Sequence, residues 1–253
     1  MLRCGPLAAV AHHLFSTREL DLEAVRGDGS TRWHDLADAL GVDIESLARM
    51  RQVHRAEVFA AEKKLPEAFS VGAREKDARS LFSDGPQADI AVTGAPTIAV
   101  SVRTADCVPI LLADRRTGAI AAVHAGWKGT AEGAAIVAVR ALVSRYGSNP
   151  RDVIAAVGPS IGPCCYEVGP ELAGHFSSHP QASTWFTRDA KPRLDLWRAT
   201  RDQLAIAGVP PPHIHVCALC TFDHAAVFHS YRRDGANAGR LVAAIRSGPG
   251  RMP

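Results

Sequence analysis

From Asp89 onward the apolar residues come in short unbroken runs, not at helical spacing. ADIAVT (88–93), TIAVSV (97–102), VPILLAD (108–114) and AIAAVH (119–124) are rich in Val, Ile and Ala and are separated by Gly, Pro and charged residues. Runs of this length with this composition predict buried strands. The next stretch changes period. TAEGAAIVAVRALVSRYG (130–147) carries Ile136, Val139, Val143 and Tyr146 at helical spacing, with Thr130 placed to cap the helix and Gly147 to end it. VIAAVG (153–158) reads as a further buried strand. RLDLWRATRDQLAIAG (193–208) reads as an amphipathic helix stopped at Gly208 before three prolines. A helix over Trp33–Leu40 belongs to the N-terminal part, and the polar, weakly periodic stretch Glu62–Gln87 reads as a long excursion or lid. Alternating strands and helices predict an α/β class: a single-domain layered fold, spanning 1–253, with a mixed β-sheet and flanking helices.

Composition narrows the partners. The chain has 253 residues, 47% of them hydrophobic, which is enough for a full core. Its 29 Lys and Arg nearly balance 26 Asp and Glu, so no field strong enough to gather nucleic acid or an anionic membrane is expected. The N-terminal run MLRCGPLAAVAHHLF is interrupted by two histidines before it could act as a secretory core or span a bilayer, and a soluble cytoplasmic protein is expected. Six cysteines, two of them adjacent, read as reduced thiols with metal or catalytic roles.

Three segments place a metal-ligand side chain at the edge of an apolar run: Gln52-Val53-His54, Thr104-Ala105-Asp106-Cys107 and Val123-His124-Ala125-Gly126-Trp127. If 108–114 and 119–124 are antiparallel neighbours joined near Asp114–Gly118, Cys107 and His124 fall at the same end of the pair. Zn²⁺ accepts mixed nitrogen and sulfur ligands, and three protein ligands leave a position for water. Taken singly, Cys107 reads equally as a small core residue and His54 as a surface histidine. A closed site would need a fourth ligand, for which Cys217-x-x-Cys220 is the spaced pair.

The runs QVH, TADCVPILLAD, AAVHAGWKGT, GPSIGPCCYEVG and SYRRDG followed by GR, in this order, resemble the signatures of the laccase-domain (polyphenol oxidase-like) family. One departure stands out: after Phe15-Ser16-Thr17-Arg18 the family usually has a Gly-rich, Asn-containing stretch, where this chain has ELDLEAVRGDGS. The resemblance implies a zinc ion held by His54, Cys107 and His124, with copper the second choice of ion. It also implies phosphorolysis of adenosine, inosine and methylthioadenosine and deamination of adenosine, so a purine nucleoside and inorganic phosphate are the expected partners. Some bacterial members are similar to peptidoglycan-precursor editing factors. Arg32 sits where the family tends to carry an arginine before a helix, implying a phosphate or ribose contact.

Catalytic candidates are Asp106, Cys107 and His124. Asp106 is placed either as a general acid in deamination or as a residue that orients His124 or caps a turn. Phosphorolysis calls for cationic side chains, and Arg232, Arg233 and Lys128 are the candidates. Trp127 and Tyr166 are candidates for stacking on a purine, and equally for filling the core. Three rivals are weighed against the zinc nucleoside enzyme. A copper oxidase would need a cluster of many histidines, but the close pairs are His12-His13 and His213-x-His215. The others are a metal-free Cys107-His124 hydrolase acting on an amide, and a scaffold with a purely structural zinc.

Overall fold

The computed structural model describes residues 1–20, 29–62, 85–189 and 191–248. The expected excursion at Glu62–Gln87 therefore lies almost wholly outside the described residues.

Among the described residues ten strands form two mixed sheets, as expected of a layered α/β chain. The first contains β1 (Ala11–Phe15), β2 (Leu47–Ala48), β5 (Ala99–Thr104) and β10 (Leu241–Ser247) in the order β1-β10-β5-β2. The second contains β3 (Val58–Ala60), β4 (Ile90–Thr93), β6 (Val108–Asp114), β7 (Ile120–Ala125), β8 (Val153–Val157) and β9 (Ile214–Val216) in the order β3-β4-β7-β6-β8-β9. In β6 and β7 every residue is buried because both faces of that sheet are covered, which is why their sequences are apolar runs without alternation.

The period of two survives in where each residue packs. Leu111, Ala113, Ile120 and Ala122 join Val100, Val102, Ala243 and Ile245 of the first sheet in one core. Their neighbours Ile110, Leu112, Ala121 and Val123 point the other way, against α4 (Ala134–Tyr146) and α5 (Leu196–Ile206). On the far side of the first sheet α2 (Gly29–Leu40) packs Trp33, Leu36, Ala37 and Leu40 over Leu14, Val242 and Ala244. The layers therefore run helix, sheet, sheet, helices. Shorter helices are α1 (Gly5–Ala8), α3 (Trp127–Ala131) and α6 (Tyr231–Asp234). No helix among the described residues is long and apolar enough to cross a membrane.

Two local expectations change. Thr130 does not cap the long helix: its hydroxyl donates to the Gly126 carbonyl within α3, and Gly133, at φ 77°, starts α4. The buried face of α4 is Ala134, Ala135, Ala138, Val139, Ala141 and Leu142, while Val143 is exposed, because alanines let the helix lie close on the sheet. Gly147 ends α4 as expected, at φ 67°. Asp195 caps α5 by accepting from the Arg198 amide.

Candidate metal centre and its cavity

The register of β6 on β7 sets the site. Val108 lies opposite Ala125 and Pro109 opposite His124, so Cys107, one residue before β6, meets His124 at the same end of the pair. Pro109 is tolerated in this central strand for a specific reason. The His124 amide donates to the Asp89 carbonyl just before β4, so the Pro109–His124 pair exchanges no hydrogen bond and the missing N–H falls towards β8, which ends at Val157 opposite Ile110.

His54 arrives from elsewhere in the fold. It sits at φ 61° on the loop before β3, where successive amides of Val53, His54 and Arg55 all donate to the Asp89 carboxylate, at 3.1, 2.9 and 2.8 Å. The same carboxylate accepts from His124, with Nδ1 2.7 Å from Oδ1, and both side chains are almost wholly buried. One acidic residue thus fixes the His54 loop and the His124 ring together. With Nδ1 held, the other imidazole nitrogen of His124 is left as the ligand atom.

The ligand atoms of His54, Cys107 and His124 all lie within 4.8 Å of one another. The rings of His54 and His124 are edge to face with centroids 4.8 Å apart. Gly126 leaves room for the sulfur: a Cβ there would stand 2.9 Å from Cys107 Sγ and 3.6 Å from His54 Cδ2. Burial would push the Cys107 thiol up, but the charge of His124 and hydrogen bonds from both histidines outweigh it and bring the thiol down to about 6. Burial would lower His124, yet Cys107 and Asp89 raise it to about 9. Two imidazoles and a readily ionised thiol, with a carboxylate behind one ring, form a donor set that fits a borderline-soft ion such as Zn²⁺.

This trio opens into a cavity of about 770 Å³, within the size range of small-molecule sites. Arg103, Lys128, Arg232 and Arg240 bring cationic side chains to its lining, and Trp127 and Tyr166 bring aromatic ones. The Arg232 guanidinium lies over Tyr166, 5.2 Å from the ring centroid, and donates to the Glu167 carbonyl. Lys128 Nζ is 5.5 Å from the Trp127 ring. Gln52 holds Arg103 in place by pairing with both its backbone N–H and its carbonyl, each at 2.8 Å.

Other candidates are placed differently. Asp106 lines the cavity but is engaged elsewhere: its carboxylate accepts from the Thr221 and Ser230 hydroxyls at 2.6 and 3.0 Å and from the Arg232 amide at 2.6 Å. It has no hydrogen bond to His124 among these contacts, so the expected orienting role belongs to Asp89 instead. With φ at 88°, Asp106 turns the chain from β5 in one sheet to β6 in the other. Arg233 donates to the carbonyls of Thr221, Phe222 and Phe228 and pairs with Asp234, away from the residues that line the cavity. Arg32 donates to the Glu19 carbonyl and is likewise not among them.

Asp89, Gln52, Arg103 and Arg240 were not singled out from the sequence as site residues. Arg240 lies in the quoted GR and Gln52 in QVH, but an acid at the start of an apolar run reads as a strand boundary, which hid Asp89.

Comparison with known proteins agrees with the motif order. A purine nucleoside phosphorylase of Bacteroides thetaiotaomicron is 36% identical over 161 residues, 62% of this chain and 60% of that protein. Adenosine deaminase RL5, from an unknown prokaryotic organism, is 35% identical over 227 residues, 87% of this chain and 83% of that protein. The chain spans about half the length of the first curated relatives it matches. The crystal structure of YlmD from Geobacillus stearothermophilus superposes with a TM-score of 0.79 at 29% identity, covering 96% of this chain and 94% of that one. The pattern of the family described as multi-copper polyphenol oxidoreductase laccase matches residues 20–247, which takes in His54, Cys107 and His124, their Asp89 anchor and the cavity, and the chain belongs to that family.

Proposed function

We propose that this chain is a zinc-dependent purine nucleoside enzyme, working as one domain, that phosphorolyses adenosine, inosine and methylthioadenosine and deaminates adenosine. The observation that carries the reading is the convergence of His54, Cys107 and His124 at the wall of a cavity whose lining is cationic and aromatic. The names of the relatives, purine nucleoside phosphorylase and adenosine deaminase, support the substrate class.

In this reading His54, Cys107 and His124 hold the ion, which when bound supplies Lewis-acid polarisation and acidifies water. Arg103, Lys128, Arg232 and Arg240 receive phosphate and offset its charge. Trp127 and Tyr166 bracket the purine ring. Burial and the nearby Cys107 thiolate push the Tyr166 hydroxyl up to about 12, so it stays a hydrogen-bond donor at neutral pH. Asp106 is a positioning residue, tying Arg232 and the 220–230 segment to the turn that carries Cys107.

Copper fits the trio as a second choice. A four-electron oxidase needs a histidine-rich cluster as well, and the other ligand group among the described residues is made of cysteines and an aspartate.

The test is product analysis of metal-quantified protein given adenosine with and without phosphate, beside Cys107→Ala. Phosphate-dependent adenine and ribose 1-phosphate, or phosphate-independent inosine, lost in the variant, is the expected result. Turnover retained in metal-free Cys107→Ala would overturn the reading.

One observation favours a second reading. Asp89, His124 and Cys107 are aligned as carboxylate, imidazole and ionised thiol, the arrangement of a cysteine hydrolase acting on an amide. Alkylation of Cys107 that saturating zinc does not slow, together with no nucleoside turnover, would select it.

A further inference from the structure

A second group of ligand-type atoms gathers beyond the histidine-containing trio. The sulfurs of Cys164, Cys165 and Cys220 and a carboxylate oxygen of Asp223 all lie within 4.8 Å of one another, and every cysteine in the chain is free. They come from two stretches far apart in sequence. Cys164 and Cys165 lie on the tight turn after Gly162, where the Cys165 and Tyr166 amides both donate to the Gly162 carbonyl. Cys220 and Asp223 follow β9. The stretches are joined where Ser160 and Cys220 pair in parallel, and the Gly162 amide donates to Cys220 Sγ at 3.3 Å.

Cys164 and Cys165 donate to the two oxygens of Asp223 at 3.2 and 3.1 Å, with their own sulfurs 3.4 Å apart. Cys220 is buried and its sulfur is held by the Gly162 amide, so all three sulfurs and the Asp223 carboxylate meet in one small volume. A thiophilic ion is the ligand that such a donor set takes. Zinc bound at about 2.3 Å to sulfur and about 2.1 Å to oxygen in a tetrahedron needs ligand atoms roughly 3.5 to 3.8 Å apart, which this set reaches with small adjustments.

We propose that Cys164, Cys165, Cys220 and Asp223 form a second zinc site, closed by four protein ligands and structural in role. Cys217, which shares a C-x-x-C spacing with Cys220, is not part of the set. On binding, the three thiols lose their protons to solvent and Asp223 exchanges its S–H contacts for a bond to the ion. The ion clamps the cavity wall. Tyr166 follows Cys165 directly, while Thr221 follows Cys220 and holds Asp106 at 2.6 Å. The site does not depend on the nucleoside reading.

The test is the zinc content of the full chain, purified under reducing conditions and loaded with zinc, read by native mass spectrometry. The wild type is expected to hold about two ions per chain, Cys107→Ala about one, and Cys107→Ala with Cys164→Ser none. Cobalt-loaded Cys107→Ala should show a near-ultraviolet sulfur-to-metal band that Cys164→Ser removes. If Cys107→Ala does not fold, Cys164→Ser alone, at an exposed position, should drop the count from about two to about one. A wild-type chain holding one ion that Cys164→Ser does not change, or a mass two hydrogen atoms lighter from an oxidised Cys164–Cys165 bond, would overturn the proposal.

Discussion

Asp89 Oδ1 lies 2.7 Å from His124 Nδ1, and the same carboxylate closes the loop that carries His54. Burial would raise this carboxyl, but the hydrogen bond from His124 and those from the Arg55 and His54 amides hold it below the usual carboxylate range. Asp89→Ala leaves the buried His124 Nδ1 and three partly buried backbone donors unpaired, at about 1–3 kcal/mol for each buried group, so a loss of ~3 kcal/mol is expected from denaturant unfolding. Asp89→Asn keeps the shape and should lower metal affinity by about 10–100-fold. The pH sign follows from the depressed value. The contribution of Asp89 is present above the ordinary carboxylate pKa and lost as pH falls through the lower folded one. The Tm gap between wild type and Asp89→Asn should therefore persist at neutral pH and close in acid.

Cys107 should be the reactive thiol of the metal-stripped protein. As pH rises through about 6 its thiolate appears, whereas burial and Asp223 push Cys164 up to about 11 and raise Cys165 as well. At pH 7 iodoacetamide is expected to label Cys107 first, with a midpoint near 6, and His124→Ala should move that midpoint upward. Peptide mapping of the label checks this; equal labelling of Cys164 would contradict it.

Gly126→Ala separates ligand geometry from folding. Gly126 has φ −76°, which alanine adopts freely, but the added Cβ would meet Cys107 Sγ at 2.9 Å. Chelator competition is expected to show metal affinity reduced by ~10-fold or more, with folding stability changed by only about 1 kcal/mol.

The two adjacent arginines should behave differently. Arg233 donates to three carbonyls and an acid, so Arg233→Ala is expected to cost about 3 kcal/mol in unfolding. Arg232→Ala should instead raise KM for phosphate by roughly tenfold, the loss of one charge-assisted contact. Steady-state kinetics beside denaturant melts distinguish them; equal effects on both readouts would remove Arg232 from the proposed phosphate site.

What could be read from sequence follows from how local each relationship is. The β6–β7 hairpin joins residues a few positions apart, so its register, and with it the meeting of Cys107 and His124, followed from two apolar runs and the turn at Asp114–Gly118. The Asp89–His124 contact spans 35 positions and depends on β4 lying beside β7, an order that periodicity does not encode. Arg232 and Arg233 look alike in sequence, yet the helical turn of α6 sends one to the cavity and the other to backbone carbonyls. The C-x-x-C spacing points from Cys220 to Cys217, but the parallel contact with Ser160 brings Cys220 to Cys164 and Cys165.

Reconstitution tests the central claim most directly: strip the protein with chelator, add zinc stepwise, and follow adenosine turnover in phosphate alongside the histidine and thiolate signals of the trio. The account predicts no turnover in the stripped protein, recovery in step with occupancy of His54, Cys107 and His124, and no recovery in Cys107→Ala. Full turnover before zinc is added would contradict it.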